Sequence, residues 1–155
     1  MSTHKAAILW QRQTDGFDYA EYNRDHDWTF KEGAAVAASA APQFGGSGAR
    51  VDPEEAFVAS VASCHMLTFL ALCARKRLVV DRYEDHATGF LEKNATGKLA
   101  ITRVELSPRI VFAGQAPDPD ELERIHNRSH QECFIANSIQ SEVLVRAVAG
   151  AGDQS

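Results

Sequence analysis

Two cysteines lie where a thiol could do chemistry. Cys64 stands inside positions 56–74, a run without Asp, Glu, Lys or Arg, and Cys133 precedes the segment FIANS. If FIANS begins a helical turn, the N–H groups of that turn favour a thiolate at Cys133. A thiolate is a nucleophile, whereas a buried thiol behaves as a small apolar packing residue. The residue types by themselves leave a redox pair and a packing role both open.

The third cysteine, Cys73, is interpreted as a packing residue. It follows Cys64 by nine residues, about 180° around an ideal helix, so these two cannot form a disulfide with each other. Three cysteines at wide spacings also do not indicate a secreted disulfide framework. The N-terminus has too short an apolar stretch for a signal peptide. We therefore expect a cytoplasmic protein.

Charge and hydropathy argue against two further classes. The formal net charge of −5 argues against a nucleic-acid binder, which would present a basic face. The run 56–74 approaches the length of a membrane span, but serine, histidine and threonine side chains dilute it. A helix that is apolar on every side is more typical of the centre of a fold or an oligomer. We therefore predict no membrane span.

Two Asp-Pro pairs mark the starts of helices. Asp52 with Pro53, followed by two glutamates, predicts a long central helix over residues 52–77. Asp118 with Pro119 predicts a second helix in the same way. The segments before, between and after these two helices are rich in β-branched residues and turns.

The remaining segments are typical of strands. A hairpin around QTDG is predicted from residues 6–12 and 17–24, two further strands around NATGK from 79–93 and 99–112, and a closing strand from 141–149. The order is therefore strands and a loop in residues 1–50, the long helix, and then strands and a helix in 79–155. This order predicts one α+β domain over residues 1–155, with mainly antiparallel sheets packed on the long helix.

The segment VDPEEAFVASVASCHMLTFLAL resembles the central helix of the OsmC/Ohr family of thiol peroxidases. The family pattern places its reactive cysteine ten residues after the glutamate of an Asn/Asp-Pro-Glu motif, and Glu54 and Cys64 have this spacing. CFIANS resembles the family's second-cysteine motif, with Phe134 in place of the usual proline. YNRDHDW and ASAAP resemble a less-characterised branch of the family, without the glycine-rich arginine loop of the organic-hydroperoxide branch.

The resemblance implies an OsmC-like fold and an antioxidant, cysteine-based peroxidase. Cys64 would attack an organic hydroperoxide and become a sulfenic acid, and Cys133 would capture it as a disulfide. An external dithiol or lipoyl reductant would restore both thiols, with no bound cofactor. Together with the apolar helix, the resemblance also implies an intertwined homodimer with the Cys64 helices at its centre. Each site would then lie at the subunit boundary and use residues of the other chain.

The resemblance further implies an arginine that activates the reactive thiol and is held by Glu54. Arg24 matches the family's arginine, and Arg50, just before the helix, is its rival. His26 could support the site by capping it or relaying a proton. Ten helical residues separate Glu54 from Cys64 by about 15 Å, so one arginine cannot easily touch both. Either the helix is broken within residues 59–63 or Glu54 lies before its true start, and we predict the break.

An apolar substrate pocket is predicted around the thiol. Its lining is expected to consist of Phe44, Phe57, Met66, Leu67 and Phe69. Such a pocket favours alkyl or lipid hydroperoxides over hydrogen peroxide, because each buried methylene contributes up to about 0.8 kcal/mol.

Three other interpretations of these residues stay open at this point. The first is a non-catalytic protein that binds a small apolar ligand on the same fold, with Cys64 as a structural thiol. The second is a metal-binding protein that uses His126, His130 and Cys133, which share one helical face but need a fourth ligand. The third is a hydrolase with Cys64 as acyl nucleophile, for which no oxyanion-hole segment is recognisable. His65, next to Cys64, is expected to pack, and no bound metal is predicted.

Overall fold

This computed structural model describes residues 1–149. They contain nine strands, two α-helices and three short 3₁₀ helices. Residues 150–155, the end of the predicted C-terminal region, lie outside them. The chain falls into two units, residues 1–56 and the residues from 57 on. The predicted α+β class with mainly antiparallel sheets is confirmed. One domain over residues 1–155 stays a prediction.

The first unit is a three-stranded antiparallel sheet. Its strands are β1 (Ala7–Leu9), β2 (His26–Thr29) and β3 (Ala35–Ala38), in the order β1-β2-β3. The predicted hairpin partner at 17–24 is wrong, because β1 pairs with β2 instead. Residues 17–24 form turns, and their aromatic rings pack on one another and on the Trp10 ring rather than across a ladder.

Helix α1 (Pro53–Arg75) begins with a reciprocal cap. The Asp52 carboxylate accepts a hydrogen bond from the Glu55 N–H at 2.8 Å, and the Glu55 carboxylate accepts one from the Asp52 N–H at 3.2 Å. The predicted break within residues 59–63 is wrong, since the helix is continuous. These residues include neither proline nor glycine, and the Ser60 hydroxyl donates to the Phe57 carbonyl inside the helix at 2.7 Å.

One stripe of α1 is buried and the rest is not. Val61, His65, Phe69 and Cys73 recur at every fourth position and are buried, whereas Leu67 is 61% exposed. By length and composition alone α1 could cross a membrane. Its buried stripe instead packs in the two hydrophobic clusters of the fold.

The second unit holds six strands in two sheets. They are β4 (Val80–Asp85), β5 (Thr88–Lys93), β6 (Leu99–Leu106), β7 (Pro108–Phe112), β8 (Glu142–Val145) and β9 (Val148–Ala149). One sheet has the order β4-β7-β9 and the other β5-β6-β8, with β8 and β9 added in parallel. The β5–β6 hairpin is therefore nested in sequence between β4 and β7, which pair with each other.

The two long strands predicted around NATGK are wrong in extent, because each of them divides into two strands of different sheets. The first divides at residues 86–87 and the second at Ser107. The Asp85 carboxylate accepts the Ser107 N–H at 2.7 Å and fixes the second division point. Apolar residues alternate across the second point, at Val104, Leu106, Pro108 and Ile110, so the sequence pattern alone does not reveal that change of sheet.

Helix α2 (Pro119–Glu132) has the predicted start, and the Asp118 carboxylate caps it by accepting the Glu121 N–H at 2.9 Å. Leu122 and Ile125 of its inner face pack with Phe69, Cys73 and Ile110 in the first hydrophobic cluster. The second cluster consists of Val61, Val104 and Leu106. At Gly89 a Cβ would lie 2.4 Å from a methyl of Val58, so this glycine allows β5 to approach α1.

Candidate functional site

The Cys64 and Cys133 thiols lie close enough to interact with each other. Cys64 lies mid-way along α1 and is partly exposed, whereas Cys133 is the C-cap of α2 and is only 1% exposed. The Ala136 N–H, in the turn after α2, donates to the Cys133 sulfur at 3.3 Å. The two helices and this turn therefore place the two predicted redox cysteines side by side.

Burial and the Cys64 neighbour raise the pKa of Cys133 to about 11, although the N–H groups of Ile135 and Ala136 act in the opposite direction. The sequence-based expectation of a thiolate at Cys133 is therefore wrong. The turn that follows is a 3₁₀ helix of three residues, too short to offset the loss of hydration. The raised pKa favours the protonated thiol of Cys133 at neutral pH.

Cys64 opens onto a cleft with a volume of about 720 Å³. The cleft runs along one face of α1 and is bounded on its other side by the end of α2 and the following turn. Its lining comprises Ser60, Ser63, Cys64, Leu67, Thr68, Ala71, Leu72, Arg75, Glu132, Phe134, Ile135 and Asn137. Sequence reasoning missed most of these residues. Those in α1 recur at intervals of three or four residues along one face of the helix, the face of Cys64. This helical spacing would have revealed them in the sequence.

Of the five predicted pocket residues, Leu67 lines this cleft. Phe69 does not: it is fully buried between the Tyr83 and His126 rings, because it lies about 140° around the helix from Cys64. Its prediction as a pocket residue is wrong. Phe57 and Met66 are also outside the lining, since Phe57 packs against the second hydrophobic cluster and Met66 lies about 200° from Cys64. Phe44 belongs to a 3₁₀ turn of the first unit.

Arg24 is held by tyrosines without an acidic partner. Its guanidinium carbon lies 3.8 Å from the centroid of the Tyr22 ring and 5.0 Å from that of Tyr19. It also donates to the Tyr22 carbonyl at 2.6 Å and to the Tyr19 carbonyl. Among residues 1–149, no carboxylate forms an ion pair with Arg24. Its positive charge is therefore not neutralised within the described chain.

Arg50, the rival cation, is paired with two carboxylates. Its guanidinium lies 3.2 Å from the Asp25 carboxylate and 3.7 Å from that of Asp27. It also donates to the His26 carbonyl at 3.2 Å. Two acidic partners leave Arg50 little net charge to offer to a thiolate.

The two remaining predicted residues are His26 and Glu54. The His26 ring Nδ1 is hydrogen-bonded to the Arg24 carbonyl at 2.7 Å, so His26 braces the backbone of Arg24. Glu54 lies in the first turn of α1 and pairs with no arginine among the described residues. Because α1 is continuous, about 15 Å of helix separates Glu54 from Cys64.

The histidines near the thiols form a buried pair rather than a metal site. His65 Nε2 and His126 Nδ1 are 3.1 Å apart, and their rings are stacked. Burial lowers the pKa of each to about 4. Residues 1–149 contain no group of three His, Cys, Asp or Glu placed to hold a metal ion. The alternative of a site built from His126, His130 and Cys133 is therefore wrong, because His126 faces His65 and Cys133 faces Cys64.

The central helix carries a partly exposed cysteine, and a buried cysteine at the end of α2 lies beside it. The family model described as OsmC-like protein matches residues 46–147. The chain therefore belongs to the OsmC family, as its two cysteine motifs predicted. A search of curated proteins finds no match.

Three solved structures that are similar to this chain are an OsmC-like protein and two organic hydroperoxide resistance proteins. An OsmC-like protein of unknown function from Vibrio cholerae is 43% identical, with a TM-score of 0.91 over 96% of this chain and 100% of that one. An organic hydroperoxide resistance protein from Elizabethkingia anophelis is 16% identical, with a TM-score of 0.73 over 97% and 98% of the two chains. OhrB of Bacillus subtilis, also an organic hydroperoxide resistance protein, is 18% identical, with a TM-score of 0.67 over 96% and 98%. The last two show a shared fold.

Proposed function

We propose that this OsmC-family protein is a cysteine-based peroxidase that reduces organic hydroperoxides through a Cys64 sulfenate and a Cys64–Cys133 disulfide. The observation that carries the proposal is the contact between the two thiols, one open to a cleft and the other buried behind it. A packing role for Cys64 would not require a second thiol beside it. The names of the two organic hydroperoxide resistance proteins also support this reaction class.

In the first step the Cys64 thiolate attacks the outer oxygen of the hydroperoxide. A sulfur–oxygen bond forms, the oxygen–oxygen bond breaks, and the leaving alkoxide takes a proton to become an alcohol. Cys64 is thereby oxidised by two electrons to a sulfenic acid. Cys64 is the attacking residue because it lines the cleft, whereas Cys133 is buried and stays protonated.

In the second step the Cys133 sulfur attacks the Cys64 sulfenic sulfur. The disulfide forms, and the hydroxyl leaves as water with the proton of the Cys133 thiol. The existing contact between the side chains means that little rearrangement is needed for this step. An external dithiol, such as a lipoyl group, then returns two electrons by thiol–disulfide exchange.

A second copy of the chain completes the site in this proposal. The side of α1 that carries Cys64 and the exposed Leu67 is left uncovered by the described residues. Within one chain the unbroken helix keeps Glu54 about 15 Å from Cys64. A homodimer around α1 would cover the apolar side chains and bring Arg24 and Glu54 of one copy to Cys64 of the other. Arg24 is favoured over Arg50 because it has no acidic partner among residues 1–149.

The substrate class follows from the walls of the cleft. Leu67, Leu72, Phe134 and Ile135 present apolar surface beside Cys64. An alkyl group bound there gains free energy that hydrogen peroxide cannot gain. We therefore expect a larger kcat/KM for an alkyl hydroperoxide, and a kcat/KM for hydrogen peroxide that is equal or larger would contradict this assignment.

The proposed reaction is tested by counting free thiols after a small excess of an alkyl hydroperoxide. A peroxidase loses two thiols per chain, and peptide mapping finds a Cys64–Cys133 disulfide. A non-catalytic binding protein on the same fold loses none. Loss of one thiol only, without a disulfide, would retain Cys64 as a nucleophile and reject Cys133 as its partner.

A further inference from the structure

A hydrogen bond between two buried histidines joins the two helices that carry the cysteines. His65 directly follows Cys64 on α1, and His126 lies on α2 seven residues before Cys133. Their nitrogens Nε2 and Nδ1 are 3.1 Å apart, so one ring donates and the other accepts. Among residues 1–149, no other side-chain hydrogen bond joins α1 directly to α2. The histidine pair is therefore the directional contact between these helices.

The histidine contact and the cysteine contact together fix how α2 lies on α1. Seven residues of helix place Cys133 about 10 Å beyond His126 along α2 and within about 20° of it around the axis. The two contacts therefore lie at separate points of one face of α2. The Phe69 ring lies 4.5 Å from the His126 ring between centroids and restricts its orientation. A hydrogen bond requires one distance and direction, whereas apolar packing is non-directional and selects the register of two helices less sharply.

Stability does not account for a buried pair of this kind. The outer nitrogens, His65 Nδ1 and His126 Nε2, have no hydrogen-bond partner among residues 1–149. Burial of a polar atom without a partner costs free energy, and replacement of both members of a buried polar pair by apolar side chains is often neutral or stabilising. The best-attested advantage of such a pair is that it selects one register of the packed elements. The register selected here is the one that brings the two thiols together.

We propose that His65 and His126 are positioning residues that hold the Cys133 sulfur beside Cys64 for disulfide formation. This inference rests on the proposed function and adds to it the source of alignment in the second step. Attack of one sulfur on another requires the reacting atoms to be close and in line, so a displacement of about 1 Å lowers the rate by a large factor. The first step, attack of Cys64 on the hydroperoxide, uses no atom of α2 and should not depend on the pair.

The first experiment measures the two steps separately after mixing with one equivalent of cumene hydroperoxide. Samples are quenched in acid at set times, and the sulfenic acid and the disulfide are quantified by mass spectrometry. In His126→Leu we expect the Cys64 thiol to react at the wild-type rate. Disulfide formation should be about fivefold slower, as for the loss of one hydrogen bond. His126→Asn should restore most of the rate, because its amide group takes the place of Nδ1.

A purely structural role predicts that any change in rate follows the change in stability. The double variant His65→Leu with His126→Leu separates the two roles, because it leaves no buried nitrogen without a partner. Its unfolding free energy, from urea unfolding, should equal or exceed that of the wild type. Its disulfide formation should still be about fivefold slower. Formation at the wild-type rate in this stable variant would overturn the proposal.

The matched control is Lys76→Gln. The Lys76 ammonium lies 2.7 Å from the Glu121 carboxylate, so this ion pair links the end of α1 to α2 eleven residues after His65. Its loss removes a second contact between the same elements without touching the histidines. Both steps should keep their rates in Lys76→Gln. An equal slowing of disulfide formation would show that any loosening of the helices has this effect, and would overturn the assignment to the histidines.

The second experiment does not depend on peroxidase activity. The thiols are equilibrated with mixtures of reduced and oxidised glutathione, where oxidised glutathione accepts the two electrons, and the fraction of Cys64–Cys133 disulfide gives the effective concentration of one thiol at the other. This concentration should fall about fivefold in His126→Leu and in the double variant, and recover in His126→Asn. If no hydroperoxide is reduced but this fall is found, the proposed function fails and the positioning role stands. Turnover with equal effective concentrations in every variant refutes the positioning role alone, and a wild type without the disulfide at any glutathione ratio refutes both.

Discussion

Cys64 and Cys73 stand on one helix, nine residues apart, in opposite surroundings. Cys73 is buried in the first hydrophobic cluster, and burial raises its pKa to about 11. Cys64 lines a cleft and contacts a second thiol. No charged residue is directly adjacent to either cysteine in sequence, and the main difference is what each helix face packs against. The chemistry of a thiol in this protein is set by tertiary contacts.

The same division applies to the charged and titratable groups around α1. On the buried face, His126 is the one hydrogen-bond partner of the His65 ring among residues 1–149, and burial favours the neutral form of both. On the cleft face, Arg75 has no acidic partner among the described residues. The buried face therefore excludes charge, whereas the cleft face offers it.

The largest expected effect is the loss of activity when Cys64, but not Cys73, is replaced. Cys64→Ser should abolish hydroperoxide consumption, because no other thiol is open to the cleft in the described chain. Cys73→Ala, the matched control on the other face, should retain the rate and lose about 1 kcal/mol of unfolding free energy. Rates follow from coupled consumption assays and stability from urea unfolding. Full activity in Cys64→Ser would refute the mechanism.

Replacement of the second thiol should stop turnover without stopping the first reaction. Cys133→Ser is expected to react once with an alkyl hydroperoxide and then accumulate Cys64 as a sulfenic or sulfinic acid, because no adjacent thiol captures it. Mass spectrometry of Cys64 after one and after many equivalents measures this. The assay contains no monothiol, which could itself capture the sulfenic acid. Sustained turnover of Cys133→Ser under this condition would show that Cys133 is not the resolving residue.

The buried face is tested by pH. The pKa of His65 and His126 is about 4 in the folded chain, against 6.5 for an ordinary histidine. Between these pH values the unfolded chain binds protons that the folded chain excludes, so the stability is complete above about pH 6.5 and falls as pH drops toward 4. The expected loss in urea unfolding is on the order of a few kcal/mol. His126→Asn removes one titrating group and should flatten this dependence, whereas an unchanged slope would argue against burial as its cause.

The smallest of these effects concerns the activating cation. Arg24→Ala should slow the reaction of Cys64 about tenfold near neutral pH, since loss of a nearby opposite charge shifts an acid's ionisation by about one pKa unit or more. Arg50→Ala should have a weaker effect, because its guanidinium is already paired with Asp25 and Asp27. If Arg50→Ala slows the reaction more than Arg24→Ala, Arg50 is the activating residue. The mechanism itself would be unchanged.

The origin of the arginine can be tested in the same system. A mixed dimer of Cys64→Ser and Arg24→Ala subunits holds one site with both residues only if Arg24 acts across the subunit boundary. Recovered activity on mixing is therefore expected. Light scattering that finds a monomer at micromolar concentration would contradict the dimer itself.

Local sequence signals predicted the elements that depend on local contacts. Asp52 and Asp118 cap their helices as their types and positions indicate, and the family that the two cysteine motifs indicated is confirmed. The errors arise where long-range packing decides. The divisions at residues 86–87 and at Ser107, the burial of Phe69 and the protonated state of Cys133 depend on neighbours that are distant in sequence. The break expected in α1 was a consequence of assuming that Glu54 and Cys64 share an arginine within one chain.

The nesting of β5 and β6 between β4 and β7 has a consequence for the order of folding. The turn over residues 94–98 closes the β5–β6 hairpin with few residues, and the Asn94 side chain accepts hydrogen bonds from the Thr96 and Lys98 N–H groups. Pairing of Asp85 with Pro108 closes a far longer loop unless that hairpin has already shortened it. We therefore expect the hairpin to form early and the β4–β7 ladder to follow, with the parallel strands β8 and β9, which close the longest loops, adding last.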